Sequence, residues 1–308
     1  MERIVLILSF ILTFVFLKPF IEIQRRKKIG QFIREEGPDL HNYKTGTPTS
    51  GGFVFILVGL IIALIWNFNV ENLIISVSGI LFGIIGFFDD YLKFKKKNAA
   101  GLSALTKLTI QFVSAAVVIT LIYLNSPHTE IIVPFVGPVN IGVFYFPLSL
   151  IIIVGTSNAV NLTDGVDGLA ASVFVASIIP LMLIGYFHVL FLSIIGAVLG
   201  FIWYNWHPAR IFMGDTGSLA LGGILATTLA IKGLDLFVIF FGSVFIAEMF
   251  SVIIQVFSYK VFGRRVFKMS PVHHHFEITG WSEIKIAVTF SVVALLFSFI
   301  GLFVWGRL

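Results

Sequence analysis

Long, uninterrupted apolar runs bounded by short polar segments dominate the sequence. A helix that crosses the hydrocarbon core of a bilayer needs about 20 apolar residues, with a range of roughly 17–25. Runs near this length predict ten membrane-spanning helices: Ile4–Ile21, Gly52–Phe68, Asn72–Phe88, Leu108–Leu124, Phe144–Val160, Leu169–Tyr186, Val189–Trp206, Ser218–Ile231, Leu236–Tyr259 and Ile286–Trp305. Because the runs are continuous rather than alternating, they favour helices over a closed β-barrel. We therefore expect an all-α polytopic membrane protein that forms a single integral domain over residues 1–308.

Two segments depart from this simple pattern. The first run resembles the apolar part of a signal peptide, but it lacks a sizeable basic segment before it and a small-residue cleavage site after it. We interpret it as a retained span. The connection Asn125–Val143 places Ile131–Val133 and Val139–Val143 on either side of Gly137-Pro138. That pattern predicts a small external β-hairpin.

The amino-acid composition also indicates an integral membrane protein. Hydrophobic residues make up 57% of the chain and charged residues only 12%, whereas a soluble domain carries about 25% charged residues. An ordinary soluble enzyme is therefore excluded. The chain has no cysteine, which excludes disulfides and thiolate metal sites.

Basic residues are concentrated in alternate loops. Sixteen of the 21 Lys and Arg residues fall in the loops on one side of the predicted helices, including Arg34 and Lys97, and three fall on the other side. The positive-inside rule makes the first set of loops cytoplasmic and both termini external. The net charge of +5 then follows from topology, and we expect no nucleic-acid partner.

An acidic pair adjoins the apolar end of the third span. Asp89 and Asp90 repel each other and are only partly hydrated there, so the pair favours a nearby cation. If the helix continues, Lys93 lies four residues after Asp89 on the same face. The alternative is a solvated helix end with a surface ion pair.

Two further acidic motifs lie in the same set of loops. Asn161, Asp164 and Asp167 recur every three residues beside glycines, and one helix cap would need only one of them, so we favour a site. Asp215 lies in Gly-Asp-Thr-Gly-Ser just before the eighth span, where a turn and a cap are the simpler interpretation.

Histidines and one intramembrane acid complete the unusual polar residues. His273, His274 and His275 are consecutive, which is not the usual zinc spacing, so we favour phosphate contacts or proton transfer over metal binding. Glu248 is the only carboxylate deep within a predicted span. It is either a functional group or, with Ser251, Gln255 and Ser258, part of a polar strip that binds helices together.

Together, these acids are residues of the kind that a phosphoryl-transfer site contains. Carboxylates suit Mg²⁺, which commonly binds through one or two of them plus substrate phosphates, and Lys44, Lys107 and the histidines can bind phosphates. A transporter is the alternative class. Transporters bind their cargo near the bilayer midplane, whereas these acids lie at the predicted ends of helices.

The motifs between Lys44 and Trp281 resemble the phospho-N-acetylmuramoyl-pentapeptide-transferase family, within the wider polyprenyl-phosphate N-acetylhexosamine-1-phosphate transferases. The resemblance is strongest in three stretches, Asn161–Ala170, Phe212–Gly223 and Met269–Glu277. The triple histidine resembles this branch rather than the related transferases that use UDP-GlcNAc. Ser50 stands where the family usually has Met, and Val166 where it usually has Leu.

The resemblance implies transfer of phospho-MurNAc-pentapeptide from UDP-MurNAc-pentapeptide to undecaprenyl phosphate in the lipid bilayer, with Mg²⁺ and as a homodimer. It implies catalytic roles for Asp89, Asp90, Asp215 and His273, and metal binding by Asp215 and Asn161. The implied substrate-binding residues are Lys44, Thr49, Lys107, Asn161, Asp164, Asp167, Asn205, Phe212, Gln255, His274 and His275. Asp89 either deprotonates the lipid phosphate, which attacks directly, or itself attacks the donor. We expect direct attack, since a phosphate oxyanion needs only positioning.

Overall fold

Helices account for nearly all regular structure in the computed structural model, which describes residues 2–30, 44–96, 100–185 and 187–308. The helices are α1 (Glu2–Arg26), α2 (Gly52–Trp66), α3 (Val70–Lys96), α4 (Ala104–Asn125), α5 (Tyr145–Thr163), α6 (Leu169–Leu183), α7 (His188–Asn205), α8 (Gly214–Ile231), α9 (Val238–Phe241), α10 (Ser243–Phe262), α11 (Val272–Ile278) and α12 (Glu283–Trp305). Within the described ranges, eight are long and apolar enough to cross a membrane, and α2 and α6 are shorter apolar helices. The predicted class, an all-α polytopic membrane protein, is confirmed. Arg34 and Lys97, two of the basic residues counted above, lie outside the described residues.

The predicted ninth span is divided in the structure. A 3₁₀ turn over Asp235–Phe237 leads into α9, and α10 begins only at Ser243. Gly242 separates the two helices, and a Cβ at this position would lie 2.9 Å from the carbonyl oxygen of Val238. The backbone of Gly242 departs from helical geometry (φ −121°, ψ 18°). The prediction of one continuous helix from Leu236 was therefore wrong, because an apolar run indicates a membrane segment but not where its backbone leaves the helix.

Two other differences from the prediction bear on the polar residues. Helix α3 continues to Lys96, beyond the apolar limit at Phe88, so Asp89 and Asp90 are helical residues. The short helix α11 lies within the histidine-rich segment that the sequence assigned to a loop.

The predicted hairpin is present. Strands β1 (Glu130–Val133) and β2 (Gly137–Asn140) pair antiparallel, with Ile131 opposite Val139. The second strand begins two residues earlier than predicted, because the turn is made by Pro134–Val136 with Phe135 in the left-handed region (φ 66°). The N–H of Ile132 donates to the carbonyl of Gly233 at 2.7 Å, which fastens the hairpin to the segment after α8.

Helix α8 lies at the centre of the bundle and is buried along almost its whole length. Small residues let its neighbours approach closely. A Cβ on Gly86 of α3 would meet the backbone of Asp215, and a Cβ on Gly222 would lie 2.5 Å from the Cα of Ser157 on α5. This packing brings the first turn of α8 against the last turns of α3 and α5, which positions the polar groups described next.

Candidate active site

Three carboxylates meet where α3 ends and α8 begins. One oxygen from each of Asp89, Asp90 and Asp215 lies within 4.8 Å of the others. Asp89 and Asp90 are 3% and 6% exposed, so the alternative of a solvated helix end is wrong. Burying like charges this close together requires compensating donors or cations.

Asp90 is surrounded by hydrogen-bond donors from α8 and the segment before α2. Its carboxylate accepts from Ser50 Oγ (2.9 Å), Thr216 Oγ1 (2.7 Å), and the backbone N–H groups of Asp215 (3.0 Å) and Thr216 (3.2 Å). The carboxylate therefore caps the N-terminus of α8, where a negative charge is stabilised. Ser50, which departs from the family pattern, supplies one of these donors.

Two lysines neutralise Asp89 and Asp215. Lys93 Nζ lies 2.6 Å from Asp89 and 3.2 Å from Asp215, which confirms the predicted i, i+4 contact. Lys107 at the start of α4 reaches the other oxygen of Asp215 at 2.5 Å. The N–H of Leu102 donates to Asp89 at 2.8 Å. The sequence suggested Lys93 only as a partner of Asp89, and its bridge to Asp215 was missed.

Asn161 at the end of α5 joins the same cluster. Its Nδ2 donates to Asp215 at 3.1 Å and to Ser218 Oγ at 2.9 Å. The amide nitrogen, not the oxygen, therefore faces Asp215. Metal binding by Asn161 would require the amide to turn over.

Asp164 lies between the acidic cluster and Asp167. Burial raises its pKa to about 8, with further contributions from the carboxylates of Asp215, Asp90 and Asp167. The raised pKa favours the protonated form of Asp164, and a cation among these acids would oppose it.

A second network surrounds Asp167. Lys44 Nζ lies 2.8 Å from Asp167 and 2.6 Å from Glu283. The other oxygen of Asp167 accepts from Ala209 N–H (2.9 Å) and lies 3.1 Å from His207 Nδ1. Glu283 in turn accepts from the N–H of Asp167 at 3.0 Å. Sequence reasoning missed Glu283, whose only local signal is its position in the first turn of α12.

Other predicted residues hold the surrounding loops together. Asn205 is buried, accepting from Gly168 N–H and donating to the Ile211 carbonyl. The backbone of Thr49 pairs with the side chain of Gln24. The backbone of Phe212 bonds to the segment 48–51. These contacts join the ends of α1, α2, α6, α7 and α8 into one polar face.

The histidines lie on and around α11. His273 is 1% exposed and its ring packs on Gly165 of the α5–α6 loop. Its N–H donates to Glu248, and its Nδ1 lies 3.2 Å from Glu248 Oε1. His274 Nδ1 lies 2.6 Å from Glu277. His275 Nδ1 accepts from Lys268 N–H.

The polar strip on α10 binds the segment that follows this helix. Gln255 accepts from the N–H groups of Val266 and Phe267 and donates to the Phe267 carbonyl. Ser258 donates to the Arg264 carbonyl, and Glu248 holds the start of α11. The strip therefore positions the histidine segment. The structure brings His273 to the α5–α6 loop, whereas Gln255 and His275 contact residues 266–268.

Comparison with known proteins agrees with the resemblance seen in the sequence. The profile of Glycosyl transferase family 4 matches residues 72–234. A phospho-N-acetylmuramoyl-pentapeptide-transferase from Kosmotoga olearia is 55% identical over 99% of this chain and 98% of its own length. Proteins of the same name from Petrotoga mobilis and Halalkalibacterium halodurans are 45% and 44% identical over 98% and 99% of this chain, and over 99% of their own lengths. The chain belongs to the phospho-N-acetylmuramoyl-pentapeptide-transferase family.

Proposed function

We propose that this chain transfers phospho-MurNAc-pentapeptide from UDP-MurNAc-pentapeptide to undecaprenyl phosphate, giving lipid I and UMP in the membrane step of peptidoglycan synthesis. Family membership supports this reaction. One structural observation carries it: Asp89, Asp90 and Asp215 converge at one end of the bundle, with Lys93 and Lys107 beside them. Buried acids with adjacent cations suit a reaction in which charge neutralisation and positioning supply most of the catalysis.

Magnesium fits the acidic cluster by its chemistry. The donors are hard carboxylate oxygens within 4.8 Å of one another, and Mg²⁺ prefers such ligands together with substrate phosphates. Asp215 would hold the ion, and Asn161 would join it after its amide turns. When bound, Mg²⁺ would neutralise charge on the diphosphate. We expect D215N to lose activity, measured as UMP release, beyond what added Mg²⁺ restores; near-normal turnover would contradict this role.

The reaction is a direct displacement. An oxygen of undecaprenyl phosphate attacks the sugar-linked phosphorus of the donor and forms a new P–O bond. The bond between that phosphorus and the oxygen of UMP breaks, and UMP leaves. Asp89 accepts the proton of the lipid phosphate when that group is protonated, and Lys107 holds the anionic groups near the acceptor.

The donor occupies the face formed by the α5–α6 loop, the segment after α7 and α11. The nucleotide-sugar pocket is lined by Lys44, Asn161, Asp164, Asp167, Asn205 and Phe212, with Thr49 beside it. His274 contacts the donor, and the buried His273 supports the pocket through the α5–α6 loop on which its ring packs. Gln255 and His275 hold this segment in place through residues 266–268. The concentration of basic residues supports placing this face in the cytoplasm and both termini outside. The family further supports a homodimer, which a cross-linking measurement in membranes would test.

One assay tests the function. Purified full-length chain receives undecaprenyl phosphate, Mg²⁺ and either UDP-MurNAc-pentapeptide or UDP-GlcNAc. We expect UMP and a lipid-linked product with the first donor only. Turnover with UDP-GlcNAc alone would identify the related sugar transferase instead.

A single-turnover assay without acceptor tests the displacement. We expect no release of UMP under these conditions. Stoichiometric UMP with acid-stable label on the protein would establish a covalent route and contradict direct attack.

A further inference from the structure

Lys107 lies on a part of α4 that packs little against the bundle. Residues 104–110, the first seven of the helix, are exposed or half-buried, and Gln111 is the first buried residue of α4. Gln111 is 0% exposed. Lys107 and Gln111 are four residues apart, so their side chains lie on the same face of the helix. The contacts that hold Gln111 therefore also determine the direction from which Lys107 approaches Asp215.

A pair of side-chain amides holds Gln111 against α5. Gln111 Nε2 donates to Asn158 Oδ1 at 3.2 Å, and Asn158 Nδ2 donates to Gln111 Oε1 at 2.7 Å. Asn158 Nδ2 also donates to the carbonyl oxygen of Val154 at 2.8 Å. Because a carbonyl oxygen only accepts, this third bond determines which end of the Asn158 amide is the nitrogen, and with it the direction of both bonds in the pair.

The two helix faces that form the amide pair also meet at Asp215. Asn158 and Asn161 are three residues apart on α5 and share a face, as Lys107 and Gln111 do on α4. Lys107 contacts one carboxylate oxygen of Asp215, and Asn161 donates to the other. The amide pair therefore lies one helical turn farther from the acidic cluster and joins the two helices that hold Asp215 between them.

Helix α5 is itself fastened to α8. The hydroxyl of Ser157 donates to the carbonyl oxygen of Leu219 at 3.0 Å, within the buried part of the bundle. The amide pair extends this connection from α5 to α4. An apolar contact at the same place would hold the helices together without a preferred direction, whereas two bonds between fixed amides fix one register.

We propose that Gln111 and Asn158 are positioning residues for the transfer reaction, and that their amide pair places Lys107 beside Asp215. The proposal rests on the function proposed above, in which Lys107 holds anionic groups near the acceptor. Neither amide is among the groups that contact the substrates in that reaction. Their effect is exerted through Lys107, so it falls on the acceptor side of the reaction.

Steady-state kinetics of the full chain test this role. We expect Q111L to raise the KM for undecaprenyl phosphate about tenfold, because Lys107 is displaced from the acceptor. The KM for UDP-MurNAc-pentapeptide should change less than about threefold. N158L should have the same effect. The double variant Q111L/N158L should be no worse than either single variant, because each removes the same pair.

An exchange of the two amides separates their pairing from the packing around them. Q111N/N158Q keeps one amide on each helix and the same combined side-chain length. We expect its KM for undecaprenyl phosphate to lie within about threefold of the parental value. Q111N alone and N158Q alone change the reach of one partner only, so each should behave like Q111L.

Thr227 provides the matched control for the loss of a buried bond between helices. Its hydroxyl donates to Ser78 Oγ at 2.8 Å and joins α8 to α3. T227V should lower the unfolding midpoint, since a buried hydrogen bond is lost. Both KM values should stay at their parental level in this variant.

A distance measurement tests the arrangement of α4 and α5 without the transfer reaction. The chain has no cysteine, so spin labels can be attached through L105C in the first turn of α4 and I151C on α5. These two positions are 76% and 60% exposed. We expect the distribution of distances between the labels to be broader in Q111L than in the parental chain, and to be parental in Q111N/N158Q.

Four outcomes would overturn the proposal. Equal rises of both KM values in Q111L, or a lower midpoint with both KM values unchanged as in T227V, would show a general structural role. A KM that stays high in Q111N/N158Q would show that pairing is not the cause. An unchanged distance distribution in Q111L would show that other contacts hold the start of α4. A parental chain that transfers nothing would contradict the proposed function, and the distance measurement would still decide whether the amide pair positions α4.

Discussion

Asp89 and Asp90 are adjacent on α3 but have different surroundings. Asp90 accepts four hydrogen bonds, three of them from the first turn of α8. Asp89 faces Lys93 and a single backbone N–H. A carboxylate whose acceptor sites are occupied by fixed donors is poorly suited to exchange a proton or bind an ion. We infer that Asp90 positions Asp215, and that Asp89 is the acid available to the substrates.

Ser50 allows a test of the hydrogen bonds that surround Asp90. Its hydroxyl donates to Asp90 at 2.9 Å, and its backbone is left-handed (φ 57°). We expect S50A to lower stability by about 1–2 kcal/mol, because a hydrogen bond to a buried charge is lost. S50G loses the same bond but relieves the backbone strain, so it should be about 1 kcal/mol more stable than S50A. Unfolding midpoints of the two variants provide the measurement, and equal midpoints would contradict the strain argument.

No local sequence motif indicated a role for Glu283. It lies 2.6 Å from Lys44 Nζ and accepts from the N–H of Asp167. Because Lys44 and Asp167 belong to the proposed donor pocket, we expect E283Q to raise the KM for UDP-MurNAc-pentapeptide about tenfold. The kcat and the KM for undecaprenyl phosphate should change less than about threefold. E71Q at the opposite end is the matched control. A fall in kcat with both KM values unchanged would contradict a pocket-positioning role.

The site residues that the sequence identified belong to local motifs. Asp89 and Asp164 were proposed because acids at the ends of apolar runs are unusual in themselves. The motif of Asp215 alone favoured a turn and a cap, and Asp215 joined the predicted site only with the whole set of acids and the family resemblance. The contact between Lys44 and Glu283 joins residues that are 239 positions apart, and no local pattern encodes such a pairing. The same holds for the bridge from Lys93 to Asp215.

At the scale of elements, the close contact between α3 and α8 sets the geometry of the acidic cluster. Gly86 packs on the backbone of Asp215, so an added Cβ would displace the start of α8. Gly83 lies one turn earlier, and its added Cβ would make only ordinary contacts at 3.6 Å. We expect G86A to lower kcat about 100-fold and G83A to remain near the parental value. Transfer assays at matched protein levels measure both variants, and equal activities would contradict this account.

Apolar length alone predicted the helices because lipid leaves a spanning backbone few alternatives. It did not predict the division at Gly242 or the helix α11. Helix α11 depends on a contact made after folding, since Glu248 accepts from the N–H of His273 in its first turn. The division at Gly242 is a local departure from helical geometry (φ −121°, ψ 18°), and glycine permits many backbone conformations without revealing which one it adopts. The hairpin was predicted from Gly137-Pro138, but Pro134–Val136 form the turn.

At the scale of the whole molecule, the polar ends of the helices gather on one face. Contacts join the start of α8 to the end of α3, the start of α4 and the end of α5. The segment before α2 meets the start of α12. The sequence predicted loops that alternate between the two sides of the membrane. In agreement with this, every proposed site residue lies at one end of the bundle, and the hairpin and Asp235 lie at the other.

The absence of cysteine allows the orientation of this face to be measured directly. Lys95, on the last turn of α3, and Val136, which is 72% exposed at the hairpin tip, lie at opposite ends of the bundle and suit single replacement by cysteine. We expect a membrane-impermeant maleimide to label V136C in intact cells and K95C only after the membrane is permeabilised, because basic loops stay in the cytoplasm. The cysteine-free parent controls for background labelling. The reverse pattern would place the acidic cluster outside the cell, where the UDP-linked donor proposed here is not supplied, and would therefore contradict the orientation and the reaction together.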